Sequence, residues 1–252
     1  MSGHSKWATT KHRKAAVDKK RSALFSKLSR IITVAAKTGG DPNPENNATL
    51  AAAIAKAKSY SLPKDKIQSA IDKAFGAGAD AANFEEVIYE GYGPAGVALY
   101  IEALTDNRNR TAADVRAAFT RAGGNLGASG SVAFQFERKG EIVVEKADAP
   151  DEDEVLMIVA DAGGEDLEVG DEEMLVYTAP ADVMSVKSEL EAAGLRVRGA
   201  ELVMEPVNTS AVSVEDAKKV MRLVDRLEDL DDIQNVYHTM ELTEEIAAAL
   251  DE

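Results

Sequence analysis

The chain contains no cysteine, which excludes disulfides, thiolate metal sites and cysteine nucleophiles and suits a reducing cytosol. Histidine is nearly as scarce. Of the three, His4 and His12 lie at the amino terminus and His238 stands alone far downstream, so neither a Ser/His/Asp arrangement nor a metal-ligand spacing can be assembled. Aromatic residues make up 5% of the chain, with Trp7 the only tryptophan. Long apolar runs are missing too: stretches such as residues 97–103 break off far short of a membrane span, and the amino terminus lacks the apolar core of a signal peptide. The expectation is a soluble, cytoplasmic protein with no membrane partner.

What remains is a composition that folds. Hydrophobic residues supply 45% of the chain and charged residues 29%, inside the globular range, and 252 residues suit two or three domains. A net charge of -15 would ordinarily repel a phosphate backbone. The average conceals a split. Residues 1–78 hold 15 Lys or Arg against 5 Asp or Glu, a net of +10, while residues 79–252 hold 14 against 39, a net of -25. Such asymmetry points to a polyanion-binding end and a solvated or protein-facing remainder.

Residues 1–22 read as a basic arm, with Lys6, Lys11, Arg13, Lys14, Lys19, Lys20 and Arg21 against Asp18; its apolar content is mostly alanine, so it has no core to enter. Leu24, Phe25, Leu28, Ile31, Ile32 and Ala35 then fall at three- and four-residue steps, predicting an amphipathic helix over 20–37 closed by Gly39-Gly40. Leu50, Ile54 and Ala57 predict a second helix, and Ile67, Ala70, Ile71 and Phe75 a third that starts at Pro63. Together, residues 23–79 predict a helical domain.

From there the period becomes alternating. Strands are expected over 87–92 and 97–104, then a helix capped by Thr111 with Asp114 at capping-box spacing, a glycine-rich loop over 123–130, and strands at 132–136 and 141–145. A helix (154–162), two strands (166–169, 174–178), a helix (183–193) and a strand (196–203) follow, which with the strand at 141 gives β-α-β-β-α-β, the ferredoxin-like order. An amphipathic helix (213–227) precedes an acidic connector, a strand over 236–242 and a short last helix. Since a lone strand is unstable, it should return to the sheet begun at Val87. The expected class is α+β and multidomain: a three-helix bundle, then an α+β domain (80–135 plus 207–252) carrying an inserted ferredoxin-like domain (136–206).

Three features bear on chemistry. The arm combines cations, which neutralise phosphates, with Trp7, His4 and His12, which can stack on bases; the alternative is a solvated charge run with an incidental tryptophan. The loop Thr105-Asp-Asn-Arg-Asn-Arg-Thr111 offers Arg108 and Arg110 as guanidinium forks for phosphate, although Asp106, Asn107 and Thr111 could simply shape a turn and cap the next helix. The loop Gly123-Gly-Asn-Leu-Gly-Ala-Ser-Gly130 could present N–H groups to an anion but has no lysine and no following Gly-Lys-Ser/Thr, so a structural turn is favoured. Gly91-x-Gly93-x-x-Gly96 is not a dinucleotide fingerprint, because a strand follows it and Pro94 lies inside. The acidic clusters 151–154 and 171–173 read as solvated faces rather than calcium loops.

Three stretches together resemble the YebC/PmpR family: Gly3-His-Ser-Lys-Trp-Ala-Thr-Thr-Lys-His-Arg-Lys14 with Asp18-Lys-Lys-Arg21, Glu90-Gly-Tyr-Gly-Pro-Ala-Gly-Val97 running on to Thr105-Asp-Asn-Arg-Asn-Arg-Thr111, and Gly123-Gly-Asn-Leu-Gly-Ala-Ser-Gly-Ser-Val132. From the residues themselves no cofactor is expected; the resemblance implies the same three-domain fold. It also implies a DNA-binding transcriptional regulator or, as for other relatives, a ribosome-associated factor that helps translation through sequences such as proline runs. Carried onto this chain, the implied contacts are Lys6, Trp7, Lys11, His12, Arg13 and Lys14, with Asn107, Arg108 and Arg110; the charge run adds Lys19, Lys20 and Arg21.

The expected function is thus non-enzymatic regulation of gene expression through nucleic acid, DNA or ribosomal RNA. No recognition helix of established pattern is evident, so operator reading is not supported by the residues themselves. A protein-binding adaptor acting through the acidic domains, and an enzyme holding a phosphorylated substrate with the glycine loop, Arg108 and Arg110, are the competing readings.

Overall fold

The computed structural model describes residues 21–76, 84–147 and 149–251. Among them, the residues up to Gln135 with Ser210–Met240 make one compact unit, and Phe136–Thr209 with the residues from Glu241 on make another.

The first unit opens with three helices, α1 (Arg21–Gly39), α2 (Ala48–Ser59) and α3 (Lys64–Phe75). Their apolar stripes converge on one core containing Leu28, Ile32, Leu50, Ile54, Ala57, Ile67 and Ile71. Gly40 ends α1 at φ 69°, a left-handed conformation that costs glycine little. Asn47 caps α2, its side chain accepting from Leu50 N, and Pro63 stands immediately before α3.

A four-stranded antiparallel sheet follows, ordered β3-β1-β2-β8, with β1 at Glu85–Tyr92, β2 at Ala98–Thr105, β3 at Asn125–Leu126 and β8 at Ile233–His238. Helices α4 (Arg108–Ala122) and α7 (Val214–Glu228) bring Val115, Phe119, Val220, Leu223 and Leu227 into burial. The late strand does return, with His238 opposite Leu99, but it lies earlier than residues 236–242. By Met240 the chain has left the ladder for a parallel bridge with Ser210. The two-residue β3 has too little pattern to be read from sequence. At Gly91 a Cβ would sit 2.6 Å from Asn125 O and 2.8 Å from the Phe119 ring, so that glycine lets β3 and α4 approach.

The second unit contains β4 (Phe136–Glu145), α5 (Glu152–Asp161), β5 (Asp166–Val169), β6 (Glu173–Thr178), α6 (Val183–Ala192) and β7 (Val197–Pro206). The sheet order β5-β6-β4-β7, antiparallel at each pairing, is ferredoxin-like. Ile142, Val144, Met174 and Val176 on one sheet face pack with Val155, Val159, Val186 and Leu190 of the two helices. The helix α8 (Glu244–Asp251) buries Ile246. The acidic clusters have structural uses: Asp151 caps α5 by accepting from Glu154 N, Glu152 and Glu154 sit in that helix's first turn, where negative charge is favoured, and Glu173 pairs with Arg198.

Candidate nucleic-acid interface

Of the arm residues singled out above, Lys6, Trp7, Lys11, His12, Arg13, Lys14, Lys19 and Lys20 lie outside the described residues. Arg21 is the first residue of α1. The bundle that follows adds cations that periodicity did not single out. Lys58 lies in the last turn of α2, and Lys64, Lys66 and Lys73 lie on α3; all four are exposed. Lys58, Lys64 and Lys66 flank the tight turn at Ser61 (φ 60°), and Lys73 lies in the last turn of α3.

The loop after β2 is more constrained than its polar sequence suggests. Asn107, not Thr111, caps α4: its side chain accepts from Arg110 N at 3.1 Å, and the helix starts at Arg108. Thr111 is buried one turn in, its hydroxyl donating to Asp232 Oδ2 at 2.7 Å. That carboxylate also receives Arg110 Nη2 at 2.7 Å and, on its other oxygen, Arg30 Nη1 of α1 at 2.9 Å. The same Arg30 nitrogen donates to Asp231 O, and its guanidinium stacks 5.0 Å above the Phe84 ring. Burial by itself would raise the Asp232 carboxyl, yet the hydrogen bonds from Arg110 and Thr111 and the charges of Arg110 and Arg30 outweigh it and hold the group below the usual carboxylate range. Asp232 thus ties α1, α4 and the turn before β8 together.

The two arginines consequently differ. Arg110 divides its guanidinium between Asp232 and Asp106, both at 2.7 Å, and these hydrogen bonds raise its pKa further. Arg108 has one ion pair, with Glu85 at 3.5 Å, and its side chain is 63% exposed. Both cations occupy the first turn of α4, where the helix dipole disfavours positive charge; Arg110 is compensated within the fold and Arg108 far less. Arg110→Ala is expected to lower the melting temperature by a few degrees and Arg108→Ala to leave it unchanged, as scanning calorimetry would report.

The glycine-rich loop already holds an anion, one of the protein's own. Glu90 of β1, 4% exposed, accepts from Gly130 N at 2.6 Å through Oε1 and from Val132 N and Ala133 N at 2.8 Å each through Oε2. Burial pushes this carboxyl up, but the three N–H groups more than reverse that and lower it. Gly127 N donates to the Glu90 carbonyl at 2.7 Å. With these donors used internally, the loop is a structural turn. The clamp also corrects the strand expected at 132–136: N–H groups committed to Glu90 cannot join a ladder, so residues Ala133–Gln135 form a short 3-10 turn and β4 begins at Phe136.

No group of three or more His, Asp and Glu that could hold a metal is found among the described residues, and no helix of theirs is long and apolar enough to cross a membrane.

A profile of the TACO1/YebC protein N-terminal domain matches residues 5–77, and a profile of the TACO1/YebC second and third domain matches residues 84–240. The chain belongs to the TACO1/YebC family. Among its relatives are a "Probable transcriptional regulatory protein" of Rubrobacter xylanophilus, 50% identical over 248 residues that cover 98% of each chain, and one of the same name from Bifidobacterium longum, 50% identical over the full length of both. The crystal structure of a conserved hypothetical protein, Aq1575, from Aquifex aeolicus superposes with a TM-score of 0.81 at 45% identity, covering 90% of this chain and 93% of that one. This TACO1/YebC chain therefore spans essentially the whole length of its relatives, and its mixed α+β fold, amino-terminal helices first, is the family's.

Proposed function

We propose that this protein is a non-enzymatic regulator of gene expression that docks on nucleic acid through its basic amino-terminal region. The observation behind this reading is the charge split: +10 over residues 1–78 against -25 over the rest. The exposed lysines of α2 and α3 extend the positive charge from the arm onto a folded surface. The regulatory names of relatives about 50% identical over nearly the whole chain agree with it. Lys6, Lys11, Arg13, Lys14, Lys19, Lys20 and Arg21 neutralise phosphates, Trp7 and His12 stack, and Arg108 adds a contact at the start of α4. Asn107 and Arg110 act through position, by capping and bracing that loop. Affinity of this kind is largely electrostatic and reads shape more than sequence, which suits structured RNA at least as well as duplex DNA.

Changing Lys11, Arg13 and Lys14 together to alanine is expected to weaken binding strongly and to flatten the slope of log affinity against log salt by about three units, roughly one for each phosphate no longer neutralised. Fluorescence anisotropy at several salt concentrations measures both. An unchanged slope would remove the arm from the interface. Cross-linking in cells, followed by sequencing of the attached nucleic acid, separates DNA from ribosomal RNA as the target.

A further inference from the structure

Phe134 is the most exposed of the large hydrophobic residues described, at 74%, and an isolated exposed apolar residue would need no explanation. Its setting is what distinguishes it. Both of its chain neighbours are pinned. Ala133 donates its N–H to Glu90 Oε2 at 2.8 Å. Gln135 donates its N–H to Val132 O at 2.8 Å and its side-chain amide to the Tyr92 hydroxyl at 3.0 Å, while that hydroxyl donates in turn to Ser131 O at 3.0 Å. Glu90 and Tyr92 alternate on one face of β1, so a single strand bolts down the turn on both sides of the phenyl ring. Tyr92, itself 37% exposed, adds a second aromatic surface on that strand face. The ring is thus presented to solvent from a fixed backbone, which lowers the ordering cost of any contact it makes.

The surrounding charge narrows the choice of partner. Residues 107–135 carry Arg108, Arg110, Arg116 and Arg121 against Asp114 alone, a net of +3 inside a remainder that sums to -25, and residues 122–135 carry no charge. The turn itself, residues 130–135, carries no carboxylate, and Glu90, which holds it, is buried and committed. Exposed aromatic rings with neighbouring amide and hydroxyl groups suit unpaired nucleobases, whose faces stack and whose edges hydrogen-bond.

We propose that Phe134 is a stacking platform for an unpaired nucleobase, held ready by the Glu90 and Tyr92 clamps, so that the protein grips a single-stranded or looped-out segment beside the phosphates taken by its basic region. This rests on the nucleic-acid reading above and goes further, because it assigns a base contact, on a part of the chain outside residues 1–78, and selects unpaired over fully paired nucleic acid.

The full-length protein is titrated with a fluorescent oligouridylate and with an abasic phosphodiester chain of the same length and label. Phe134→Ala should weaken binding to the oligouridylate by about tenfold, leave the abasic chain and the salt slope unchanged, and keep the melting temperature of the parent, since the ring packs against little. Phe134→Trp should restore the affinity. Equal loss on both probes, or no loss on the oligouridylate, would overturn the stacking role while leaving electrostatic docking intact. If the parent protein binds neither these probes nor structured RNA nor duplex DNA, the nucleic-acid reading fails and takes this inference with it.

Discussion

Glu90→Ala is expected to lower the unfolding free energy by about 4 kcal/mol. The side chain is buried and accepts from three main-chain N–H groups; hydrogen bonds to a charged group are worth roughly 1.5–3 kcal/mol each, and donors left buried without an acceptor add their own desolvation cost. The three do not add fully, because two share one oxygen and the turn can relax toward water. Glu90→Gln should fall between parent and alanine variant, since an amide retains one acceptor oxygen. Urea denaturation gives the free energy, and hydrogen exchange at residues 130–133 should accelerate in the alanine variant. A loss under about 1 kcal/mol would mean that the turn is held by its glycines and Tyr92.

Acid should destabilise the protein between pH 6.5 and pH 4 by about 3 kcal/mol more than it destabilises a His238→Leu variant. His238, 8% exposed, lies on β8 with no hydrogen-bond partner for its ring outside its own residue among the described residues. Burial pushes its pKa down from 6.5 to about 4. The sign follows from proton counting. Because the folded pKa is depressed, the unfolded chain binds the proton first as pH falls, so stability is full above 6.5, declines through the window and has lost this contribution below 4. The carboxylates titrate in both proteins and cancel in the comparison. Parallel stability profiles for parent and variant across that range would show that the imidazole is hydrated or protonated in the native state.

How far the sequence could be read depended on how local the determinants were. The ferredoxin-like order between residues 141 and 203 follows from periods of 2 and 3.6 within short windows, and the observed elements α5 to β7 fall close to the expected bounds. The three amino-terminal helices are equally local. The departures share one cause. Thr111 has the composition of a cap, but its hydroxyl is taken by an aspartate 121 residues away, leaving Asn107 to close the helix; the position of an Asx residue just before Arg108 was the available signal. The strand expected at 132–136 yielded to a carboxylate some 40 residues upstream. Arg110, a good phosphate fork by sequence, is partly consumed by the same distant Asp232. Phe134 carried no periodic or charge signal, because its significance comes from bonds made by its neighbours.

The route of the chain through its first sheet has a consequence for biosynthesis. The main-chain amide of Ala98 in β2 meets the hydroxyl of Thr239, just past β8 and 141 residues later, and Asp232, which braces α1 and α4, arrives equally late. While the ribosome is still making the intervening segment, β2 has an unpaired edge and Arg30 and Arg110 await their carboxylate. The sheet β4 to β7, by contrast, needs only residues 136–206. Emerging domains consolidate as their partners become available, and long-range pairing is slow. The sheet β4 to β7 should therefore become protease-resistant on stalled nascent chains before the sheet that begins at β1, which cannot close until residues 232–239 have been made.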